Sequence, residues 1–272
     1  MSAGSLKALL EQRRVRAWQE SKEAASLRRQ IAEAFLLFPG KIPTEEFSRF
    51  VAALPDEYIL RFPPRDVVKH YISFRNYQSG RPVTILSPRE FDYTLTVLTG
   101  DHPYLLAQIT LCLVQSYLNI REAEVFTHAH GLALDCFLIA DTHHLLETDG
   151  QKRQFQAGLE EQIARETGLL SREADRLHFA PLPAAQIQIS HELLPREGTG
   201  ILRLECPDHV GLVFRAALTL SLHEASIHSA YIQTDERKLR AECLFVLGRE
   251  GKVREEKQMC LLEGALLHEL TS

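Results

Sequence analysis

Residues 100–140 read GDHPYLLAQITLCLVQSYLNIREAEVFTHAHGLALDCFLIA, and residues 207–247 read PDHVGLVFRAALTLSLHEASIHSAYIQTDERKLRAECLFVL. Each stretch runs from an Asp-His turn into an amphipathic helix, then a strand, a polar turn and a second apolar strand. Asp101 and Asp208 hold the same place, so the offset is 208 − 101 = 107 residues, about the length of a small domain. The sequence therefore predicts a tandem repeat of one βαββα unit.

The apolar pattern around these landmarks predicts the elements of each copy, because strands alternate apolar and polar residues while helices repeat them three and four apart. The first copy reads as a strand over 91–97, a helix over 105–113, strands over 119–127 and 132–140, a helix over 155–163 and a closing strand at Ile187 and Ile189. The second reads as a strand over 202–206, a helix over 212–222, strands over 227–234 and 239–247, and a last helix over 259–266. The predicted fold is α+β, with two ferredoxin-like βαββαβ units whose helices cover one face of an antiparallel sheet.

A helical region precedes the two copies. Residues 6–38 contain no proline, a second helix starts at Thr44, and a third follows the break at Pro63-Pro64. We therefore divide the chain into a helical connector region over 1–86, a first domain over 87–193 and a second domain over 194–272. The second domain shows no closing strand, so another part of the chain, such as the first copy, is expected to cover its sheet edge.

Composition excludes several classes of function. The chain of 272 residues carries a formal net charge of -5 and has a pI near 6.2, so no general attraction to nucleic acid or to an anionic membrane is expected. No run approaches the ~20 apolar residues that span a bilayer. We expect a soluble, cytoplasmic protein with no cofactor and no bound metal. The five cysteines lack the spacing of a zinc site and are expected to be reduced and buried: Cys112, Cys136, Cys206, Cys243 and Cys260.

The repeated motif resembles the ACT domain, a small regulatory fold that binds amino acids. The features that resemble it are the Asp-x-Pro turn at Asp101, the apolar helix that follows, the Asn119-Ile120 pair, and a polar turn before an apolar strand. Nearly the whole chain is similar to the C-terminal regulatory region of the bifunctional PII uridylyltransferase/uridylyl-removing enzyme family. That similarity includes the segment ALPDEYILRF at 53–62 and the downstream His70.

The sequence contains no motif for the two activities of that family. Nucleotidyl transfer needs carboxylates that hold Mg²⁺ ions, usually an Asp-x-Asp pair, and the uridylyl-removing half of the family resembles a phosphohydrolase with a His-Asp dipeptide. Neither Asp-x-Asp nor His-Asp occurs in the sequence. We therefore predict a regulatory region that is not itself an enzyme.

The resemblance implies a ligand site at the turn between the first strand and the first helix of each copy. In ACT domains this turn approaches an amino acid closely, and free N–H groups of the helix suit its carboxylate. The second copy matches with Asp208, His209, Gly211 and Leu212, of which Asp208 is placed to meet an α-ammonium group. The first copy matches with Asp101, but Tyr104 stands where the family has glycine, so that its side chain either fills the ligand space or covers it.

The resemblance also implies contacts from the start of the second strand. Asn119 and Ile120 match the family's Asn-Ile pair in the first copy, while the second copy has Ser226 and Ile227. His228 follows on the same strand and is a candidate contact to the side chain of a ligand.

Two other kinds of site are weaker interpretations of the same residues. His128, His130, His143 and His144 suggest a metal cluster, but adjacent histidines do not easily face one ion, and turn or surface positions explain them better. The Asp208-His209 pair with a nearby serine suggests a hydrolase relay, yet no nucleophile-elbow sequence accompanies it.

The resemblance therefore predicts a regulatory, amino-acid-sensing module with tandem ACT domains. Glutamine is the first ligand to test, because of the nitrogen signalling of the family. A catalytic or signalling protein partner and a homodimer formed through the sheets are further expectations. The alternative is a degenerate module that only dimerises or binds a protein; Tyr104 and Ser226 favour that alternative, whereas Gly211 counts against it.

Overall fold

The structure is a computed structural model, and it describes residues 23–36, 44–54, 56–77, 81–90, 92–128, 131–165, 170, 176–194, 199–235, 237–248 and 255–272. These residues fall into two compact units. The described residues of one unit fall within 1–77 and 128–130, and those of the other fall within 78–127 and 131–272.

The first unit is helical. Its described helices are α1 (23–36), α2 (Thr44–Ala53), α3 (Asp56–Arg61) and α4 (Pro64–Asn76). The predicted start of α2 at Thr44 and the break at Pro63-Pro64 are confirmed, since Pro64 lies in the first turn of α4, where a missing N–H costs nothing. Most of the helix predicted over 6–38 lies outside the described residues.

Aromatic side chains form the core of this helical unit. The rings of Phe35 and Phe47 stack with centroids 3.9 Å apart, and Tyr71 meets Phe47 edge-on at 4.9 Å. The hydroxyl of Tyr58 hydrogen-bonds to Nδ1 of His70, and both side chains are buried. Burial lowers the pKa of His70 to about 4, so this histidine is neutral at physiological pH.

The second unit contains one eight-stranded antiparallel sheet. Its strands lie in the order β1-β2-β4-β3-β7-β8-β6-β5. Their bounds are β1 (Val83–Pro88), β2 (Asp92–Gly100), β3 (Asn119–His128), β4 (Leu132–Ala140), β5 (Gln188–Leu194), β6 (Thr199–Pro207), β7 (Ile227–Asp235) and β8 (Arg240–Leu247). The predicted strands over 119–127, 132–140 and 227–234 agree with these bounds to within one residue.

Four helices pack with this sheet around one hydrophobic core. They are α5 (Leu105–Gln115), α6 (Asp149–Ala164), α7 (Leu212–Leu222) and α8 (Glu256–Thr271). Helix α5 contacts α6 and α7, and α7 also contacts α8. The predicted apolar stripe of the last helix is confirmed, because Met259, Leu262 and Leu266 are fully buried. None of the helices in the described residues is both long and apolar enough to cross a membrane.

The closing strand predicted at Ile187 and Ile189 pairs differently from expectation. It was expected to complete the first copy, but β5 pairs with β6, with Ile189 opposite Leu204. It thus lies at the edge of the second half of the sheet, which consists of β5, β6, β7 and β8, whereas β1, β2, β3 and β4 form the first half. The corresponding edge of the first half is taken by β1, which pairs with β2 and was not predicted. A short connection between β5 and β6 favours an antiparallel hairpin, which explains why β5 lies beside β6.

A central pair of strands joins the two halves. β3 and β7 are antiparallel, with Glu122 opposite Gln233 and Phe126 opposite Ser229. The open edges expected for the second half are therefore covered by β5 on one side and by β3 of the first half on the other. Because β3 and β7 run in opposite directions, the start of each lies beside the end of the other.

Candidate ligand sites at two helix N-termini

Two loops of the same conformation lead into α5 and α7. Tyr104 and Gly211 immediately precede these helices, and both have a left-handed backbone with φ of 70° and 80°. The backbone hydrogen bonds of the two loops also correspond: Asp101 N to Gly131 O (2.8 Å) with Asp208 N to Leu239 O (2.9 Å), and Gln108 N to Tyr104 O (2.9 Å) with Arg215 N to Gly211 O (2.9 Å). The predicted correspondence at 107 residues is thus seen in the detailed geometry of the loops.

Neither helix has a side chain that caps its first turn. His102 and His209 instead turn their Nδ1 atoms to the next carbonyl oxygen, 2.9 Å away at Pro103 and 2.8 Å away at Val210. The amides of Leu105 and Leu212 donate to the carbonyls of His102 and His209 over 3.2 and 3.1 Å. The next N–H groups of each first turn carry partial positive charge, and without a side-chain cap they suit an anionic group such as a carboxylate. Both loops therefore have the chemistry expected of an anion-binding turn.

The two loops differ in what lies above the left-handed residue. In the first half this residue is Tyr104, whose half-buried side chain packs against the hydrophobic core. In the second half the ring of Phe179 lies above Gly211, and a Cβ atom on Gly211 would be only 2.2 Å from Cε1 of that ring. The space that glycine was predicted to leave for a ligand is therefore filled by an aromatic ring from the segment before β5.

Arg215 holds Phe179 and the end of α8 together. Its guanidinium carbon lies 5.7 Å from the centre of the Phe179 ring. Its Nε donates to Oε1 of Glu269 over 3.1 Å, and an Nη atom donates to the backbone carbonyl of Glu269. Only 4% of Arg215 is exposed, so these contacts hold a nearly buried cation, although its Nη1 atom has no hydrogen-bond partner among the described residues.

The first loop faces residues of the second half. Oδ2 of Asp101 accepts a hydrogen bond of 3.2 Å from the hydroxyl of Thr127, near the end of β3. The start of β7 lies beside that end of β3, and His228 is near enough to Asp101 to lower the pKa of its carboxyl. Desolvation outweighs these favourable contacts, so the pKa of Asp101 is raised overall. Asp101 and His228, predicted as site residues of different copies, are thus brought together.

The predicted site residues of the second loop differ in their exposure. Leu212 is buried as the first residue of α7, whereas Asp208 is exposed. Asn119 and Ile120 open β3 beside the end of β7, where the hydroxyl of Thr234 donates to the carbonyl of Ile120 over 3.4 Å.

The start of β7 holds the remaining predicted residues. The carbonyl of Ser226 accepts a hydrogen bond of 2.8 Å from the amide of Gly248. Ile227 pairs with Leu247, and a bulge between Ile227 and Ser229 leaves the exposed His228 outside the regular register.

A buried carboxyl group lies near the first loop and was not among the predicted site residues. Asp135 on β4 is 1% exposed, and neither of its side-chain oxygens has a hydrogen bond of regular geometry among the described residues. Burial raises its pKa well above the ordinary value of 3.8, and the negative charge of Asp101 raises it further. A single acidic residue within an apolar strand was the only signal in the sequence for this group.

Asp135→Asn is expected to remove a pH dependence from stability. Because the pKa of this carboxyl is higher in the folded than in the unfolded state, its stabilising contribution is complete below about pH 4 and is lost as pH rises through the raised folded pKa. The unfolding free energy of the variant minus that of the wild type should therefore grow with pH, by at most about 1.4 kcal/mol per pH unit. Chemical denaturation across pH measures this, with Asp149→Asn, an exposed acid, as control. A difference that does not vary with pH would contradict it.

A groove of about 620 Å³ lies at the end of the sheet where β3 begins and β7 ends. Its lining includes side chains of both charges, among them Arg121, Asp235 and Arg240, and it draws on both halves of the sheet. None of the predicted site residues lines it. It is therefore a polar depression near the second loop and not the predicted pocket itself.

The remaining metal and cysteine predictions have mixed outcomes. His143 and His144 are exposed in a turn, where Nδ1 of His144 lies 3.1 Å from Oε1 of Glu147. His130 and the side chain of His128 lie outside the described residues. Four cysteines are buried as expected, but the prediction for Cys260 is wrong: it is exposed, because it lies on α8 beside the buried stripe and not within it.

Three curated proteins are similar to this chain, and each is named bifunctional uridylyltransferase/uridylyl-removing enzyme. The protein from Ralstonia nicotianae is 31% identical over 198 residues, which are 68% of this chain and 22% of that enzyme. The protein from Thiobacillus denitrificans is 30% identical over 222 residues (76% and 25%), and that from Nitrosospira multiformis is 28% identical over 208 residues (73% and 23%). The chain thus resembles a region of these enzymes and spans about a quarter of their length.

Two further comparisons do not identify a family for the chain. No family model matches the chain. The crystal structure of aspartate kinase from Synechocystis aligns with 65% of this chain and 26% of that protein, at 12% identity and a TM-score of 0.39.

Proposed function

We propose that the chain is an amino-acid-sensing regulatory region of the uridylyltransferase type, with ferredoxin-like ACT domains over 87–193 and 194–272 after a helical connector. The observation that carries this proposal is the pair of loops at Asp101 and Asp208, which share a left-handed residue, matching hydrogen bonds and an uncapped helix N-terminus. The similarity to a quarter of three uridylyltransferases supports the same assignment. In this proposal, catalysis belongs to other regions of such enzymes and not to this chain.

The proposed ligand is glutamine, bound with its carboxylate at the N–H groups that follow Leu105 in the first turn of α5 or Leu212 in that of α7. Its α-ammonium group would meet the carboxylate of Asp101 or Asp208. At the first loop, His228 of the opposite half, whose charge acts on the carboxyl of Asp101, would approach the same ligand. A ligand that contacts both halves binds one arrangement of them better than another, and that difference in affinity is what transmits a signal to a protein partner.

Calorimetric titration of the full chain with glutamine tests this proposal, with glutamate and alanine as related amino acids. Saturable binding of glutamine that is tighter than binding of the other two is the expected result. The absence of saturable heat with all three amino acids would refute the proposal, because the sites would then lack a ligand of this class.

Phe179→Ala is expected to strengthen glutamine binding at the second loop. The ring of Phe179 occupies the space beside Gly211, so a ligand must displace it, and this displacement reduces the observed affinity. Removing the ring should raise the affinity by about 10-fold if the open state is a minor population of the wild type. Leu177→Ala, a change in the same segment, is the matched control. Unchanged or weaker binding in Phe179→Ala would show that the ring does not compete with the ligand.

One observation favours a second candidate function, a protein-interaction module without a small-molecule ligand. In both loops an aromatic side chain lies at the left-handed residue before the helix: that of Tyr104 itself in the first half and that of Phe179 in the second. Under this alternative the sheet would serve to dimerise or to bind a partner. Sedimentation equilibrium together with the amino-acid titration separates the two functions, because self-association without amino-acid binding supports only the second.

A further inference from the structure

A cluster of metal-ligand side chains joins β5 to α8 and includes none of the residues of the two loops. His191 lies on β5, and only 11% of its side chain is exposed. Its Nδ1 lies 2.8 Å from Oε1 of Glu263, and its Nε2 lies 3.0 Å from Oε1 of Glu256. A histidine that is nearly buried and held on both ring nitrogens has a fixed orientation.

Cys260 completes this cluster with a third type of ligand atom. It follows Glu256 by four residues and precedes Glu263 by three, so the three side chains lie on one face of α8. A ring nitrogen of His191, a carboxylate oxygen of Glu256 and Sγ of Cys260 all lie within 4.8 Å of one another. The other four cysteines are buried, which leaves this thiol as the accessible one.

These distances fit a single small cation. Three atoms that lie no more than 4.8 Å apart can share a point within about 2.8 Å of each, whereas Zn²⁺ binds nitrogen, oxygen and sulfur at about 2.0–2.3 Å. The remaining difference, at most about 0.5–0.8 Å, requires only side-chain rotations. Glu256 is exposed and Cys260 lies on the surface of the helix, so both are able to make them.

The chemistry of the ligands selects the metal. Thiolate and imidazole favour zinc over Mg²⁺ or Ca²⁺, which prefer oxygen ligands alone. Glu263 has the position of an outer carboxylate that accepts a hydrogen bond from Nδ1–H of His191, so that Nε2, the nitrogen beside Glu256, is the one that would bind the metal in place of a proton. This arrangement of carboxylate, histidine and metal recurs in zinc sites and sets the tautomer of the ligand.

We propose that His191, Glu256 and Cys260 bind one zinc ion, with Glu263 orienting His191 and a water in the fourth position. The ion would tie the edge strand β5 to the last helix and stabilise the folded state when it binds. The sequence did not predict this site because His191 and Glu256 lie 65 residues apart and the one close pair, Glu256 and Cys260, is not a Cys/His pair of a zinc motif.

Titration of the metal-free, reduced full chain with Zn²⁺ and Co²⁺ tests the proposal. We expect one equivalent of Zn²⁺ per chain by calorimetry, and with Co²⁺ the absorption of a tetrahedral ion with a thiolate-to-metal charge-transfer band. Cys260→Ser should abolish the charge-transfer band and weaken zinc binding by more than about 10-fold. Glu263→Gln should keep the band and weaken binding by about 10–100-fold.

His268→Gln, which changes another histidine of α8, is the matched control and should bind zinc as the wild type does. Circular dichroism of each variant checks that it is folded, as expected for exposed or partly exposed positions. Zinc binding of equal affinity in Cys260→Ser and the wild type would place the ion elsewhere and overturn the proposal. A Co²⁺ spectrum without a thiolate band, or no saturable binding at all, would also overturn it.

Discussion

Gly211→Val is expected to lower the free energy of unfolding by about 3 kcal/mol. The backbone at this position is left-handed, which costs a side-chain-bearing residue about 1–2 kcal/mol and more when it is β-branched. A Cβ atom would also meet three carbon atoms of the Phe179 ring at 2.2–2.8 Å, and overpacking of this kind costs about 1–3 kcal/mol. Urea denaturation followed by circular dichroism measures the sum.

Two further variants separate the causes of this loss. Gly131 has the same left-handed backbone, with φ of 70°, but a Cβ atom there meets nothing within 4 Å. Gly131→Val should therefore show only the conformational cost, of about 1–2 kcal/mol. Combining Gly211→Val with Phe179→Ala should relieve the steric part. If Gly131→Val and Gly211→Val cost the same, the close packing of Phe179 on Gly211 is refuted.

Arg215→Ala is expected to destabilise the protein by about 3 kcal/mol. The change removes the donors to the backbone carbonyl and the carboxylate of Glu269 and also removes the guanidinium group from the face of Phe179. Loss of a buried charged partner costs several kcal/mol, but the carboxylate of Glu269 is about half exposed and keeps part of its hydration. The loss of the aliphatic part of the side chain adds to the effect.

Glu269→Gln is the matched control for Arg215→Ala. It retains the backbone carbonyl that accepts from Arg215 and changes only a partly exposed carboxylate, so it should cost at most about 1 kcal/mol. Thermal or urea denaturation of both variants gives the comparison. Equal destabilisation by the two variants would mean that the ion pair with the carboxylate of Glu269, and not the contact with its backbone carbonyl, holds the end of α8.

The sequence was most informative where apolar periodicity and turn residues agree. The predicted helix at 212–222 and the predicted strand at 132–140 match α7 and β4 residue for residue, because each is a long apolar run between clear turns. The repeat offset also predicted that Tyr104 and Gly211 hold equivalent positions. The local sequence pattern therefore predicts the bounds of these helices and strands and the equivalent positions in the two loops.

Long-range pairing was not predictable in the same way. The repeat pattern assigned the strand containing Ile189 to the first copy, whereas it pairs with β6, and the edge of β2 is occupied by β1. For the same reason the sequence gives no sign that Phe179 packs on Gly211. These contacts depend on the three-dimensional order of strands, which no local period encodes.

The candidate site residues likewise divide into those that a local motif predicts and those that it does not. Residues of each loop were recognised from the ACT-like motif, and the approach of His228 to Asp101 follows from the antiparallel pairing of β3 and β7. Asp135 was missed because one acid in an apolar strand has no motif. His191 and Cys260 were missed because they come from elements distant in the sequence.

The measurement that tests the central claim most directly is a calorimetric comparison of wild type with the double variant Asp101→Asn and Asp208→Asn. Both side chains are exposed, so isosteric replacement removes their charges without creating a cavity. The account predicts saturable glutamine binding to the wild type and a loss of about 10-fold or more in the double variant, since each carboxylate is proposed to meet the α-ammonium group. Wild-type binding that survives unchanged in the folded double variant would contradict the assignment of these loops, and no glutamine binding to the wild type would contradict the sensing function itself.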